Sequence, residues 1–155
     1  MRMAAVTVAL ALNAALCPVT RAGTAENVLT ARRVFLEYMA EGHFRGPADI
    51  YARNFVAHGA SFNYTREQDE ASTRAWREAM PDLKVTVERT VAAEDLVAVH
   101  WMATGTNTVA AGGLPGKGDR IGVEGMTFFR FSAGRIVEEW SVIDTATLRK
   151  LLGQW

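Results

Sequence analysis

Residues 117–152, KGDRIGVEGMTFFRFSAGRIVEEWSVIDTATLRKLL, carry the pattern from which the architecture can be read. Arg120–Phe131 and Arg135–Ile143 are rich in β-branched and aromatic residues, and Ser132-Ala133-Gly134 between them is turn chemistry. Together they predict a hairpin. Asp144 follows, and Leu148, Leu151 and Leu152 recur at helical spacing before Gly153. A hairpin that runs through Trp140 and Asp144 into a short helix puts an ionisable group where the chain leaves the sheet.

Working back from this stretch, Asn107–Gly118 is a glycine-rich loop containing Pro115. Before it, Leu83, Val85 and Val87 alternate with Lys84, Thr86 and Glu88, and Glu94-Asp95 turns the chain into Leu96–Thr106. Thr65-Arg66-Glu67-Gln68 fits a capping box that starts a helix to about Met80, closed by Pro81. Asn54–His58 reads as a brief extended segment, and Gly46-Pro47 opens a short helix. Thr24 caps a helix to about Glu41, with Val28, Ala31, Phe35 and Met39 on one face and Gly42 at its end. The predicted order is three helices, four long strands in an antiparallel meander and a final helix, an α+β chain.

With 155 residues, 49% of them hydrophobic and 22% charged, the chain is long enough for one domain with a real core. A formal net charge of zero provides no basic stripe for nucleic acid. No run is apolar enough over sufficient length to span a bilayer. Residues 1–23 stand apart: Arg2, an apolar run from Met3 to Leu16, then Pro18 and small residues around Ala22 read as a signal peptide. Leu16 before Cys17 argues against a lipoprotein signal. Cleavage after Ala22 would remove the single cysteine, Cys17, and the domain, read as residues 24–155, would be secreted or periplasmic with no membrane association afterwards. The alternative is a mis-assigned start on a cytoplasmic chain.

A curved sheet with helices on one face wraps a cone whose mouth can take a small molecule. On Gly105-Thr106-Asn107-Thr108, Gly113-Leu114-Pro115, Glu124-Gly125-Met126, Phe129-Arg130-Phe131 and Gly134–Trp140, in this order, the chain resembles the SnoaL-like polyketide (ester) cyclases of the NTF2-like superfamily. The resemblance spans about Ala25 to Gly153. It implies an NTF2-like cone, homodimer formation through the open sheet face, and a small apolar or polycyclic carbonyl compound as ligand. It also implies ring closure by an intramolecular aldol reaction without cofactor or metal. Such chemistry needs a carboxylate whose pKa burial has raised, a donor for the enolate oxygen, and apolar walls that fold the substrate.

The resemblance places the family's acid/base aspartate at Ser141, its assisting histidine at Thr127, and a further loop histidine at Asn107. Serine is no free base near neutral pH without an activating partner. Asp144 is then the replacement candidate, either as a base at the cavity mouth or as the N-cap of the last helix. His58 is an acid, base or donor by type, or a hydrogen-bonded structural residue. Glu138 is expected to pair, with Arg130 as a candidate, and Glu139 to face solvent unless its face lines the cavity. Trp76, Trp101, Trp140, Tyr64, Phe128 and Phe129 are candidate walls or core residues. His100 reads as an exposed sheet residue, and His43 as a cation at a helix end. The three histidines lack metal-ligand spacing, so no metal is expected, and no glycine motif of a nucleotide site is present. Steroid isomerase-like and epoxide hydrolase-like sets are weaker matches, because no second aspartate stands on a suitable strand. The readings left open are a cyclase or isomerase using Asp144, His58 and Ser141, a non-catalytic NTF2-like binding module, and an interaction protein that only dimerises.

Overall fold

The computed structural model describes residues 21–44, 50–59 and 61–151. The stretch read as a signal peptide lies outside them up to residue 20, as do the helix placed at Gly46-Pro47 and the chain end beyond residue 151. Helix α1 (Arg21–Arg33) continues as a wider π-helical turn over Val34–Met39. It buries Ala31 and Phe35 of the expected face together with Val34 and Tyr38, while Val28 and Met39 pack against the core only partly buried. Gly42, at φ +72°, ends it by donating its amide to the Tyr38 carbonyl at 3.2 Å.

Strand β1 (Tyr51–His58) precedes the short edge strand β2 (Asn63–Tyr64) and helix α2 (Arg66–Ala79). The capping box forms as read. Thr65 Oγ1 accepts from the Gln68 amide at 3.4 Å, and Gln68 Oε1 accepts from the Thr65 amide at 2.9 Å. Strands β3 (Lys84–Ala93), β4 (Leu96–Asn107), β7 (Asp119–Ser132) and β8 (Arg135–Ile143) form the long antiparallel meander. The two-residue strands β5 (Ala110–Ala111) and β6 (Leu114–Pro115) pair within the glycine-rich loop, and α3 (Thr145–Leu151) follows β8. Ala133 and Gly134 both take positive φ, +49° and +73°, as a tight turn matched to strand twist requires.

The sheet order is β2-β1-β8-β7-β4-β3, curved, with the helices packed on it: the expected α+β architecture of the NTF2-like fold. One pairing was not legible in the sequence. β1 is longer than the extended segment read at Asn54–His58, and it runs parallel to β8, with Ala57 opposite Glu139 and His58 opposite Trp140. The helix and meander between β1 and β8 supply the crossover such a pair needs.

The core lies between the helices and the inner sheet face, where Val97, Val99, Trp101, Ile121, Val123, Phe129 and Phe131 are buried. The alternating residues Met102, Met126, Phe128 and Val142 are exposed on the outer face. A bulge in β8 alters the alternation at one point. Arg130 is opposite Glu138 but Phe131 is opposite Ile136, so Val137 is the extra residue. Ile136 and Glu139 therefore both face inward, whereas unbroken alternation puts Ile136 with Glu138 and Trp140.

Candidate active site

The bulge turns Glu139 into the interior, where it is 9% exposed. The expectation that it faces solvent is overturned, because Ile136 does not mark the buried parity of the strand's second half. Glu139 lines a cavity of about 140 Å³ bordered by the π-helical turn, α2, β4, β7 and β8. Val34, Phe35, Tyr38 and Met39 of the π-helical turn form one wall, and Asp69, Ser72, Thr73 and Trp76 of α2 another. These α2 positions recur at i, i+3, i+4 and i+7, so a single helix face supplies a carboxylate, two hydroxyls and an indole. Trp101, Thr127, Ser141 and Ile143 complete the sheet side.

A directed hydrogen-bond chain runs across the sheet to Glu139. Trp101 Nε1 donates to Thr127 Oγ1 at 3.0 Å, Thr127 and Ser141 hydroxyls are 2.8 Å apart, and Ser141 Oγ donates to Glu139 Oε1 at 2.8 Å. An indole N–H can only donate, so Thr127 accepts from it and passes its own proton toward Ser141, which passes its proton toward the carboxylate. Gly125, opposite Trp101 in the register, makes this possible: a Cβ there would lie 2.3 Å from Trp101 Cζ2. Phe35 stacks on the other side of Trp101, with ring centroids 5.6 Å apart.

Burial, and then the negative charge of Asp69, push the Glu139 carboxyl up to about 8, against a smaller downward effect of the Ser141 hydrogen bond. Burial and the neighbouring Glu70 raise Asp69 to about 6. Near neutral pH one carboxyl of this pair is thus mainly protonated and the other mainly ionised, the separation that assigns an acid and a base. Glu139 Oε2 has no hydrogen-bond partner, nor does the hydroxyl of Tyr51, a 2% exposed residue. Burial first, then Glu139 and Asp69, drive the Tyr51 hydroxyl well above its ordinary range, so it stays a neutral donor. Among the described residues no group of His, Cys, Asp and Glu is arranged to hold a metal ion.

Of the residues singled out from the sequence, Ser141, Thr127, Trp101, Trp76 and Glu139 come together in this cavity. The others do not line it. Asp144 is exposed and caps α3, its Oδ1 accepting from the Thr147 amide at 3.0 Å. Hydrogen bonds from the Thr147 hydroxyl and amide hold its pKa below the ordinary value, the reverse of what a base near neutral pH needs. His58 and Trp140 share the outer face. Their rings stack at 4.6 Å, His58 Nε2 lies 3.1 Å from Glu138 Oε1, and Arg130 donates to Glu138 Oε2 at 2.8 Å. Alternation sends Trp140 outward because its neighbours Glu139 and Ser141 face in. Asn107 is fully buried as a loop tether, donating to the Ala79 and Val109 carbonyls and accepting from the Gly116 amide at 2.7 Å. Phe129 packs in the core against Phe35, and Tyr64 lies on the edge strand beside Phe62. Phe128 and His100 are on the outer face, the latter paired with Glu124.

The sequence reading missed Asp69 and Tyr51, and it admitted Glu139 only on the condition that its strand face lines the cavity. The α2 stripe of Asp69, Ser72, Thr73 and Trp76 was the available signal for the first.

Fold and site define a small NTF2-like α+β domain with an acidic interior cavity. The family model of the SnoaL-like polyketide cyclases matches residues 29–152, and the chain belongs to that family. No curated protein matches it. Among solved structures, it is similar to AclR, a candidate hydroxylase from Streptomyces galilaeus, at 23% identity and TM-score 0.76, over 85% of this chain and 98% of that one. IdmH, a candidate polyketide cyclase from Streptomyces antibioticus, is 26% identical with TM-score 0.70, over 82% and 98% of the respective chains. A candidate SnoaL-like polyketide cyclase from Jannaschia sp. CCS1 is 24% identical with TM-score 0.73, over 83% and 92%.

Proposed function

We propose that this chain is a cyclase or isomerase that moves protons on a small carbonyl compound, with Asp69 as base and Glu139 as acid. The observation that carries the reading is the buried Glu139 carboxyl, raised to about 8, with one oxygen unpartnered in a cavity it shares with Asp69. Ionised Asp69 takes the proton next to the substrate carbonyl, and charge develops on the carbonyl oxygen. In a cyclisation the carbanion attacks a second carbonyl of the same molecule, forming the new C–C bond, and Glu139 gives its proton to the resulting alkoxide. The proton held on Asp69 then restores Glu139, so no net proton is consumed. Ser141, oriented by Thr127 and Trp101, stabilises the Glu139 carboxylate at the moment it is formed. A void of about 140 Å³ suits one ring-sized part of a polyketide-ester-like substrate, comparable to the cavity that admits benzene in an engineered core.

The test is α-proton exchange in deuterated buffer, and ring closure, of an activated polyketide methyl ester followed by NMR. Asp69→Asn and Glu139→Gln are expected to lower the rates by about 10²–10⁴-fold, while Asp144→Asn retains them. Full rates in both cavity variants would overturn the reading. Ser141 and Thr127 at the family's acid/base positions favour one alternative, a module that binds a carbonyl compound without turning it over. Saturable binding with no exchange in any form would support it. We further propose that the chain pairs as a homodimer through the outer sheet face, where Met102, Met126, Phe128 and Val142 are exposed. Export to a secreted or periplasmic location stays a proposal resting on residues 1–23 alone.

A further inference from the structure

On the far side of the first turn of α2 from the acidic cavity lies a second, larger hollow of about 590 Å³. Its walls come from the start of β1 (Tyr51, Arg53, Phe55), the start of α2 (Thr65, Arg66, Glu67) and the start of β8 (Arg135). The parallel pairing of β1 with β8 produces this convergence. Tyr51 lies opposite Ile136, and the Ile136 amide donates to the Ile50 carbonyl at 2.8 Å, so the two strands begin side by side.

Three guanidinium groups therefore border one hollow. Among the described residues, none of Arg53, Arg66 and Arg135 makes an ion pair. The single carboxylate among these wall residues, Glu67, makes no ion pair; hydrogen bonds with its own amide and the Thr65 hydroxyl hold its pKa below the ordinary value, and the Arg66 charge adds a smaller effect of the same sign. One donor in this wall is buried without a partner, Arg66 Nε. Buried donors left unpaired are costly, and native structures seldom keep them without a ligand or water. An oxygen-rich anion answers each of these facts together. It accepts from Arg66 Nε, and it balances guanidiniums whose fork geometry matches carboxylate and phosphate oxygens.

We propose that this hollow is a binding site for an organic oxyanion, a carboxylate or phosphate group carried on a small molecule. The site is separate from the acid–base cavity and does not depend on how that cavity functions. Its volume falls within the range of small-molecule sites, well beyond what an inorganic ion fills.

The experiment is isothermal titration calorimetry of the full chain in low-salt chloride buffer with citrate and with pyrophosphate as probes. Saturable one-to-one binding of at least one probe is expected. Arg66→Gln should weaken it about tenfold or more, as should the double variant Arg53→Gln/Arg135→Gln. The control Arg149→Gln, on α3, should leave it unchanged. Arg53 and Arg135 are exposed, so their double variant carries the test should Arg66→Gln fail to fold. A response to citrate alone assigns carboxylates, and a response to pyrophosphate alone assigns phosphates. No saturable binding of either probe would overturn the proposal. Equal weakening by Arg149→Gln would overturn it as well, since it would reveal general charge attraction.

Discussion

Replacing Glu139 by Gln tests the central feature of the site through stability, independently of any substrate. The Glu139 carboxyl is raised from 4.5 to about 8, chiefly by burial. The folded state therefore holds this proton more tightly than the unfolded chain does. Below pH 4.5 both states are protonated and burial costs nothing electrostatic. As pH rises toward 8 the unfolded chain ionises freely while the folded one resists, so stability falls with pH. At about 1.36 kcal/mol for each pH unit crossed, the full loss is about 5 kcal/mol. About 3 kcal/mol of it falls between pH 5 and pH 8. Gln preserves the shape and cannot ionise, so Glu139→Gln should lack this part of the slope. Asp69, raised to about 6, leaves a smaller slope of the same sign. Urea unfolding of both proteins at pH 5, 6, 7 and 8, followed by tryptophan fluorescence, measures the difference. The variant should gain on the parent by about 3 kcal/mol across that range. Parallel pH dependences would mean that Glu139 is already ionised at neutral pH, and the assignment of Glu139 as the acid would fall with it.

Ser141→Ala removes the hydrogen bond that favours ionised Glu139, so the alkaline limb of the pH–rate profile should move to higher pH; an unmoved limb would disconnect Ser141 from the acid. Gly125→Ala places a methyl group against the Trp101 indole and should cost about 1–3 kcal/mol in urea unfolding while shifting the Trp101 fluorescence. Asp144→Ala removes the cap of α3 and should cost about 1 kcal/mol with turnover retained; lost turnover at unchanged stability would return Asp144 to the reaction. Phe128→Asp, on the outer face, should convert a dimer to monomers in light-scattering chromatography; an unchanged mass would place the interface elsewhere.

Much of the architecture was readable because its signals are local. Two residues at positive φ, Ala133 and Gly134, close the β7–β8 hairpin, and Thr65 with Gln68 starts α2, each through bonds made within a few residues. The alternation of β4 and β7 likewise declares which residues share a face. Those features were enough for the α+β class and for the family resemblance. The position of the carboxylates was not local in this sense. Glu139 is buried only because Val137 is accommodated as a bulge against the neighbouring strand, and a bulge depends on the register between two chains of atoms, not on either alone. The resemblance drew attention to Ser141 and Thr127, which do meet in the cavity, but their hydroxyls point the proton path toward a neighbour that strand parity had assigned to water.

The same division explains Asp144 and Asp69. A carboxylate before Thr-Ala-Thr-Leu is a helix cap by its own local chemistry, and the structure leaves it in that role. Asp69, on a helix with polar residues on several sides, becomes special only when α2 is laid over the sheet and burial there, with Glu70 beside it, disfavours its charge. Chain order and side-chain type decide helices, turns and strand faces, because these follow from bonds and sterics over a few residues. Tertiary packing decides which acid is desolvated, because a raised pKa depends on what surrounds the carboxyl from every side.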